Sequence, residues 1–224
     1  MTAFLARRAA VSLATIVMAV VCVFLAVRSI PNNPVLARFG QHAVPEQVQR
    51  EMARQGWDRP LLEQLRTYLW TFTTTGDLGE SLFRPGERVT QGLLSKFPAT
   101  IELTLAALLI AMPMGIVSGV AAAVWRNRFP DYLCMTGALV GVSVPVFFLG
   151  ICLMTLVDEV PWLHFLAIQG RLSPGAGYEP ITGFVLLDSI LLGRGDLLID
   201  GMRHLVLPAL ALSSIPAAVV ARIT

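Results

Sequence analysis

The sequence is poor in the residue types that build most enzyme active sites. Lys96 is the only lysine, and because Leu and Ser precede it instead of glycine, it cannot be the lysine of a nucleotide-binding P-loop. The histidines are His42, His164 and His204, and none has a metal-ligand partner at helical spacing, which argues against a membrane metalloprotease. No G-x-S-x-G nucleophile elbow is present either. We therefore predict that the chain is not an enzyme and has no catalytic residue, metal site or cofactor.

Charged residues are also scarce, at 14% of the 224 residues, whereas soluble domains contain about one quarter. Hydrophobic residues make up 55%, and the net charge of +2 does not indicate a nucleic-acid partner. The uncharged residues are clustered, which favours a membrane protein over an apolar globular domain. They form four runs, Ala9–Val27, Leu103–Trp125, Tyr132–Val157 and Leu205–Ala221. Each run is long enough to cross a hydrocarbon core of about 30 Å.

The three cysteines, Cys22, Cys134 and Cys152, all lie inside these apolar runs. Thiols in lipid-embedded helices are usually small packing residues. Their positions therefore predict neither a disulfide framework nor a metal site.

The positive charges predict how the four runs are oriented. Arg7 and Arg8 precede the first run, Arg126 and Arg128 lie between the second and third, and Arg222 follows the fourth. The positive-inside rule places these three sites in the cytoplasm. A cleaved signal peptide is a weaker interpretation of the first run, because its length exceeds a typical h-region and no small-x-small site follows it. We predict four spanning helices and a cytoplasmic N-terminus.

These patterns predict an all-α membrane protein with three consecutive regions. Residues 1–28 form an N-terminal transmembrane helix, and residues 29–97 form an outer segment with helical signals at Pro45–Gly56 and after Pro60. The outer segment is either a helical cap on the membrane or a docking surface for a partner. Residues 98–224 form the membrane core, with spanning helices at about 99–125, 131–157 and 205–222 and an outer loop at 158–204. In that loop, Gly183–Leu192 is too short to cross and predicts an interfacial or re-entrant helix.

Small residues predict close helix contacts in the membrane core. The second run has one at every fourth position, namely Ala107, Ala111, Gly115, Gly119 and Ala123. Such a face lets another backbone approach closely, and packing drives helix association in lipid. The third run repeats the pattern at Gly137 and Gly141. We expect close packing at Gly115, Gly119, Gly137 and Gly141, either within this chain or against another.

Two features indicate residues for a pathway through the membrane. Pro145, close to Ser143, removes a backbone donor in mid-span, which is either a tolerated packing kink or a bend that shapes a pathway. Glu102 lies just inside the outer end of the second span, and an intramembrane carboxylate is a functional candidate. A helix start near Pro98 would also account for that carboxylate, because acids are stabilised at helix N-termini. We predict Glu102, Ser143 and Pro145 as pathway residues.

Several stretches, taken in order, resemble one protein family. They are GDLGES (76–81), FPATIELTLAALL (97–109), SVPVFFLG (143–150), GRLSPG (170–175), TGFVLLDSILLG (182–193) and RHLVLPALAL (203–212). Residues 6–34 and 57–69 add similarity in the first span and the outer segment. Together they resemble the inner-membrane permease subunit of dipeptide/oligopeptide/nickel-type ABC importers, from about residue 4 onward. One departure is PNNP at 31–34, where the family commonly has a Pro-Gly-Asp-Pro-like turn.

The resemblance implies a six-helix permease fold in a bacterial or archaeal cytoplasmic membrane. It implies that the chain forms half of a translocation pathway for peptides or similar small solutes. The partners it implies are a second permease subunit, two cytoplasmic ATPase subunits and an external solute-binding protein. ATP-driven closure of the ATPases would then rock the paired permeases between two states of access.

The end of the sequence departs from the expected family length. In the family, the fourth span leads into a cytoplasmic coupling helix with an EAA-type motif, and two further spans follow. ARIT at 221–224 resembles the entrance to that helix, so we expect the C-terminal part of the permease core to be absent. The alternative is a non-transporting membrane remnant, or an assembly or regulatory module that lacks ATPase coupling.

Overall fold

The computed structural model describes residues 2–29, 44–81, 84 and 86–224. PNNP at 31–34 and His42 lie outside the described residues. The chain divides into two compact units, Met1–Leu93 and Leu94–Thr224. Apart from one isolated antiparallel bridge between Glu80 and Arg88, the regular structure of the described residues is helical. The predicted all-α class is confirmed for that part of the chain.

The described residues form eight α-helices and one 3₁₀ turn. The α-helices are α1 (Thr2–Arg28), α2 (Pro45–Arg54), α3 (Leu61–Thr75), α4 (Val89–Val124), α5 (Phe129–Ser143), α6 (Val146–Glu159), α7 (Val185–Leu191) and α8 (Gly195–Ile223), and the 3₁₀ turn is Pro161–Leu163. By length and composition, α1, α4 and α8 could each cross a membrane, and the bent pair of α5 and α6 could supply a fourth crossing.

The first unit joins the end of α1 to the helices of the outer segment. The Phe24 ring of α1 lies 5.3 Å from the Tyr68 ring of α3. The Arg28 guanidinium lies 3.8 Å above the Trp57 ring, close enough for a cation–π contact. Gly76 ends α3 in the left-handed conformation, with φ of 66°, which glycine adopts without steric cost. These contacts attach the outer segment to one end of the first apolar helix.

Helix α4 begins earlier than the sequence predicts. It starts at Val89, so Pro98 lies inside the helix and not in its first turn. The expectation that a helix start would account for Glu102 is therefore wrong. Proline removes one backbone hydrogen bond, but the helix continues through Pro98, which is buried and lies against the loop at Gly183. A Cβ at Gly183 would lie 3.1 Å from the Pro98 Cγ.

Helices α4 and α8 pack closely through small residues and run parallel. A Cβ on Gly115 would lie 2.6 Å from the Val220 Cβ and 2.7 Å from the Ala217 carbonyl oxygen. One turn further along both helices, a Cβ on Gly119 would lie 2.7 Å from the Thr224 Cβ. Ala107 and Ala111 on the same face of α4 are also buried. This strip lets the two backbones approach with little intervening side chain, as helix packing in lipid favours.

The remaining elements of the second unit also pack on α8. Helices α5, α6 and α7 all contact it. A Cβ on Gly201 of α8 would lie 2.9 Å from the Val185 Cγ1 of α7, so a larger residue would displace the short helix. After α6, the Ala167 N–H donates to the Arg203 carbonyl oxygen (3.4 Å), which places the chain beside the polar first turns of α8.

Candidate functional site

The third apolar run is broken at Val144 and Pro145. The chain bends by 107° there, between helices α5 and α6. The residue before a proline is disfavoured in the α conformation, and Val144 is extended, with φ of −81° and ψ of 123°. Pro145 is also non-helical, with ψ of 134°, and its carbonyl oxygen begins the hydrogen bonds of α6. The sequence left open whether Pro145 causes a kink or a bend, and the structure shows a break in the helix.

The break leaves backbone polar groups outside both helices. The Val140 carbonyl accepts the last bond of α5 from the Val144 N–H (2.9 Å), and the Ser143 Oγ donates to the Leu139 carbonyl oxygen (2.8 Å). The next helical acceptor is the Pro145 carbonyl oxygen, so the intervening carbonyls lie outside the two ladders. Within a membrane such groups are tolerated only where protein or water surrounds them. Discontinuous helices of this kind form the substrate sites of several transporters.

Glu102 binds the outer loop directly. Its Oε2 accepts from the Arg171 Nη2 (2.9 Å), and its Oε1 accepts from the Leu186 N–H (2.8 Å). The same Arg171 nitrogen donates to the Gly183 carbonyl oxygen (2.9 Å). The Glu102 side chain is only 10% exposed. Because the Glu102 carboxylate is largely buried, losing Arg171 would leave a buried charge without its ion-pair partner.

A second carboxylate, Asp188, holds the loop together from inside. It is fully buried and accepts hydrogen bonds from the Tyr178 hydroxyl (2.7 Å) and the Thr182 hydroxyl (2.6 Å). The backbone N–H groups of Ile181, Thr182 and Gly183 also donate to it. Burial opposes ionisation, but these donors outweigh it and hold the pKa of Asp188 well below its usual range.

Tyr178 is the counterpart of that carboxylate. Burial, together with the hydrogen bond to Asp188, raises the pKa of its phenol to about 12. The phenol is therefore a permanent donor at physiological pH.

Two further hydrogen bonds join the loop to α8: the Ser173 N–H and hydroxyl each donate to Asp200, both at 2.7 Å. The outer loop is thus a folded element with its own polar interior.

His204 lies beside the Glu102–Arg171 pair. It is a residue of α8 whose side chain is 6% exposed, and its Nδ1 lies 2.9 Å from the Asp200 carbonyl oxygen. His204, Glu102 and Arg171 line one cavity of about 150 Å³. The rest of its lining comes from backbone and apolar side chains of α4, α7 and α8 and of the loop at Gly170.

The structure does not gather the predicted pathway residues into one site. Glu102 lines the same cavity as His204 of α8. The Ser143 region lies further along α8, because a Cβ on Gly141, two residues before Ser143, would be 3.5 Å from the Ser214 carbonyl oxygen. Ten residues of helix separate these two levels, which is about 15 Å at 1.5 Å per residue. The predicted packing glycines also differ: Gly115 and Gly119 touch α8 closely, Gly141 loosely, and a Cβ on Gly137 meets nothing described within 4 Å.

Sequence reasoning missed the partners of the carboxylates. Arg171 and Asp188 both lie in stretches that carry the family resemblance, but neither was singled out for a role. Asp188 did interrupt the apolar run Gly183–Leu192, and a lone acid in such a run is a usable signal of a buried, hydrogen-bonded carboxylate. The pairing of Arg171 with Glu102 joins positions 69 residues apart, so periodicity carries no trace of it.

Comparison with known proteins identifies the family. Residues 1–104 match the family described as "Binding-prot-dependent transport system membrane comp, N-term". The chain is 39% identical over 225 residues to the "Di/tripeptide transport system permease protein DppB" of Pseudomonas aeruginosa, and 34% identical over 228 residues to the "Dipeptide transport system permease protein DppB" of Escherichia coli K12. Both alignments cover all of this chain and 66% of the relative.

A third relative is named for the transport of a different kind of dipeptide. The "Probable D,D-dipeptide transport system permease protein DdpB" of Escherichia coli K12 is 38% identical over 210 residues, covering 92% of this chain and 61% of that protein. The apolar helices and these relatives agree on a multi-pass protein of the inner membrane. The chain belongs to the family of membrane components of binding-protein-dependent transport systems.

Proposed function

We propose that the chain is a permease subunit of an ATP-driven, binding-protein-dependent importer of small peptides. The observation that carries the proposal is the alignment of the whole chain with permeases named for di- and tripeptide transport. The broken helix at Ser143–Pro145 supports it, because an interrupted ladder in mid-span suits a polar pathway. The chain would contribute half of that pathway, with Ser143 and Pro145 lining it.

The proposed arrangement has four crossings, with the bent pair α5–α6 counted as one, and a cytoplasmic N-terminus. Arginines support this orientation because they flank the same side of each predicted crossing. Residues 29–97 then form a periplasmic helical segment, and residues 158–204 an outer loop on the same side. Glu102 would lie near the mouth of the pathway, and its hydrogen bond to Arg171 supports a role in anchoring the outer loop there.

The proposed partners follow from the family and from the chemistry that the chain lacks. ATP hydrolysis would occur on two cytoplasmic ATPase subunits, since Lys96 is not in a P-loop. A second permease subunit would complete the pathway, and an external binding protein would deliver the peptide. Substrate would cross by alternating access as the paired permeases rock between two states.

The proposal is tested by deleting the gene in its native host and measuring uptake of radiolabelled di- and tripeptides. We expect uptake to fall, and a plasmid copy of the gene to restore it. Uptake of an unrelated sugar serves as the control for general membrane damage. Unchanged peptide uptake after deletion would favour the non-transporting alternative.

A further inference from the structure

We propose that the cavity beside Glu102, Arg171 and His204 binds the primary ammonium group and first side chain of a small peptide. The cavity lies within the second unit, between α4, α7, α8 and the loop at Gly170, and has a volume of about 150 Å³. A water-sized site needs only about 10–15 Å³ by the same kind of measure, so the space exceeds that of a single water. It is large enough for one amino-acid residue.

The first acceptor in the cavity is the Nε2 atom of His204. The His204 Nδ1 lies 2.9 Å from the Asp200 carbonyl oxygen, which can only accept, so the Nδ1 carries the hydrogen. In the neutral ring the Nε2 is then an acceptor with a free lone pair. No described residue donates to it, although the side chain is only 6% exposed and lines the cavity. The Nε2 is therefore open to the cavity, and a ligand with an N–H group can donate to it in place of water.

The second acceptor is the backbone carbonyl of His204. In α8 it would accept from the residue four positions on, which is Pro208, and proline has no N–H. Pro208 itself lines the cavity, so the freed carbonyl lies beside the same space. One residue thus supplies two acceptors at one wall.

The third acceptor is the Glu102 carboxylate. Each of its oxygens accepts one hydrogen bond, from Arg171 and from Leu186, and a carboxylate has room for about four. The Glu102 and Arg171 charges balance, so hydrogen-bonding capacity and not net charge selects the ligand. A primary ammonium offers three donors and no acceptor, which matches these three acceptors.

The apolar residues of the cavity indicate where the first side chain of the peptide would bind. Leu103, Val185 and Leu205 are apolar and also line the cavity. A site that places an ammonium group next to an apolar wall fits an N-terminal amino-acid residue with an aliphatic side chain. The identity of the ligand as a peptide rests on the proposed function, but recognition of an amine does not.

The test uses the purified full chain in lipid nanodiscs, without any partner protein. The probe is radiolabelled leucinamide at pH 7, where its amine is mostly protonated, measured by equilibrium dialysis. The comparison is 4-methylpentanamide, which is leucinamide without the amine. We expect saturable binding of leucinamide, and binding of the comparison compound weaker by about tenfold or more, since hydrogen bonds to charged groups carry that much affinity.

Two variants locate the site. Ala99→Leu fills the cavity from α4 without removing a polar group, and we expect it to weaken leucinamide binding by about tenfold or more. Thr100→Leu adds a similar bulk at the next, exposed position, which does not line the cavity, and should leave binding unchanged. The thermal unfolding temperature of each variant shows whether it is folded.

Three results would overturn the inference: equal binding of the two amides, equal effects of the two variants, or no saturable binding in the millimolar range. The last result would mean that the cavity holds only water. Loss of peptide uptake with amine binding intact would count against neither the site nor its chemistry. Normal amine binding in a protein whose deletion leaves peptide uptake unchanged would instead count against the proposed function.

Discussion

Replacing Gly115 with alanine tests whether the small-residue strip sets the distance between α4 and α8. The new Cβ would lie 2.6 Å from the Val220 Cβ and 2.7 Å from the Ala217 carbonyl oxygen. Carbon atoms pack at about 3.5–4.0 Å, so the helices must separate by about 1 Å. Because a backbone oxygen cannot rotate away, we expect an overpacking cost of about 1–3 kcal/mol.

The matched control is Gly137→Ala, where a Cβ meets no described atom within 4 Å. Both substitutions gain the same helix propensity, about 1 kcal/mol, so that contribution cancels when the two variants are compared. The difference between their free energies of unfolding therefore isolates the α4–α8 contact. It is measured by titrating the detergent-solubilised protein with SDS and following tryptophan fluorescence.

We expect Gly137→Ala to be the most stable of the three proteins, followed by the native chain and then by Gly115→Ala. If the propensity gain offsets a small clash, Gly115→Ala will be as stable as the native chain. A difference of 1–3 kcal/mol between the variants corresponds to a ratio of about 5 to 160 between their unfolding equilibrium constants. Equal stability of the two variants would refute the close contact at Gly115.

Three further predictions concern the break, the outer loop and the membrane surface. Pro145→Ala should allow α5 and α6 to join and reduce peptide uptake several-fold while membrane levels stay normal; normal uptake would show that the break is not needed. Because the pKa of Asp188 is lowered in the folded loop, the stabilisation that this carboxylate gives is present above about pH 4 and is lost as the pH falls below that value. The unfolding temperature should therefore drop below about pH 4, and Asp188→Asn should make it depend less on pH. Trp162 is 75% exposed in the 3₁₀ turn that follows the apolar helix α6, so we expect it to lie at the membrane surface. The fluorescence of a variant that keeps only this tryptophan should be quenched by lipids brominated near the headgroup, and quenching by aqueous iodide alone would exclude an interfacial position.

The elements that the sequence predicted well are those whose signal is local. Apolar length located the helices now seen as α1, α4 and α8, and the four-residue spacing located the face of α4 that is buried. The predicted start of α4 was wrong, because proline usually lies in the first turn of a helix, whereas this helix begins at Val89 and continues through the buried Pro98.

The site was harder to predict because its contacts are distant in sequence. Glu102 was predicted as a pathway residue, but its hydrogen bond to Arg171 was not predicted. The cavity at His204 depends on a proline, an i−4 backbone contact and a loop that returns from more than 30 residues away. Each is an ordinary local feature, and only their meeting in space brings several hydrogen-bond acceptors to one cavity.

The parallel contact of α4 with α8 also bears on how the protein is made. Gly119 and its neighbour Thr224 are separated by roughly 100 residues, which a ribosome takes about 5–20 s to synthesise. Throughout that interval α4 must reside in the bilayer without its partner. A face of alanine and glycine exposes no polar side chain to lipid, so this face of the helix does not need a temporary partner. The same strip that later sets the helix spacing therefore makes stepwise insertion possible.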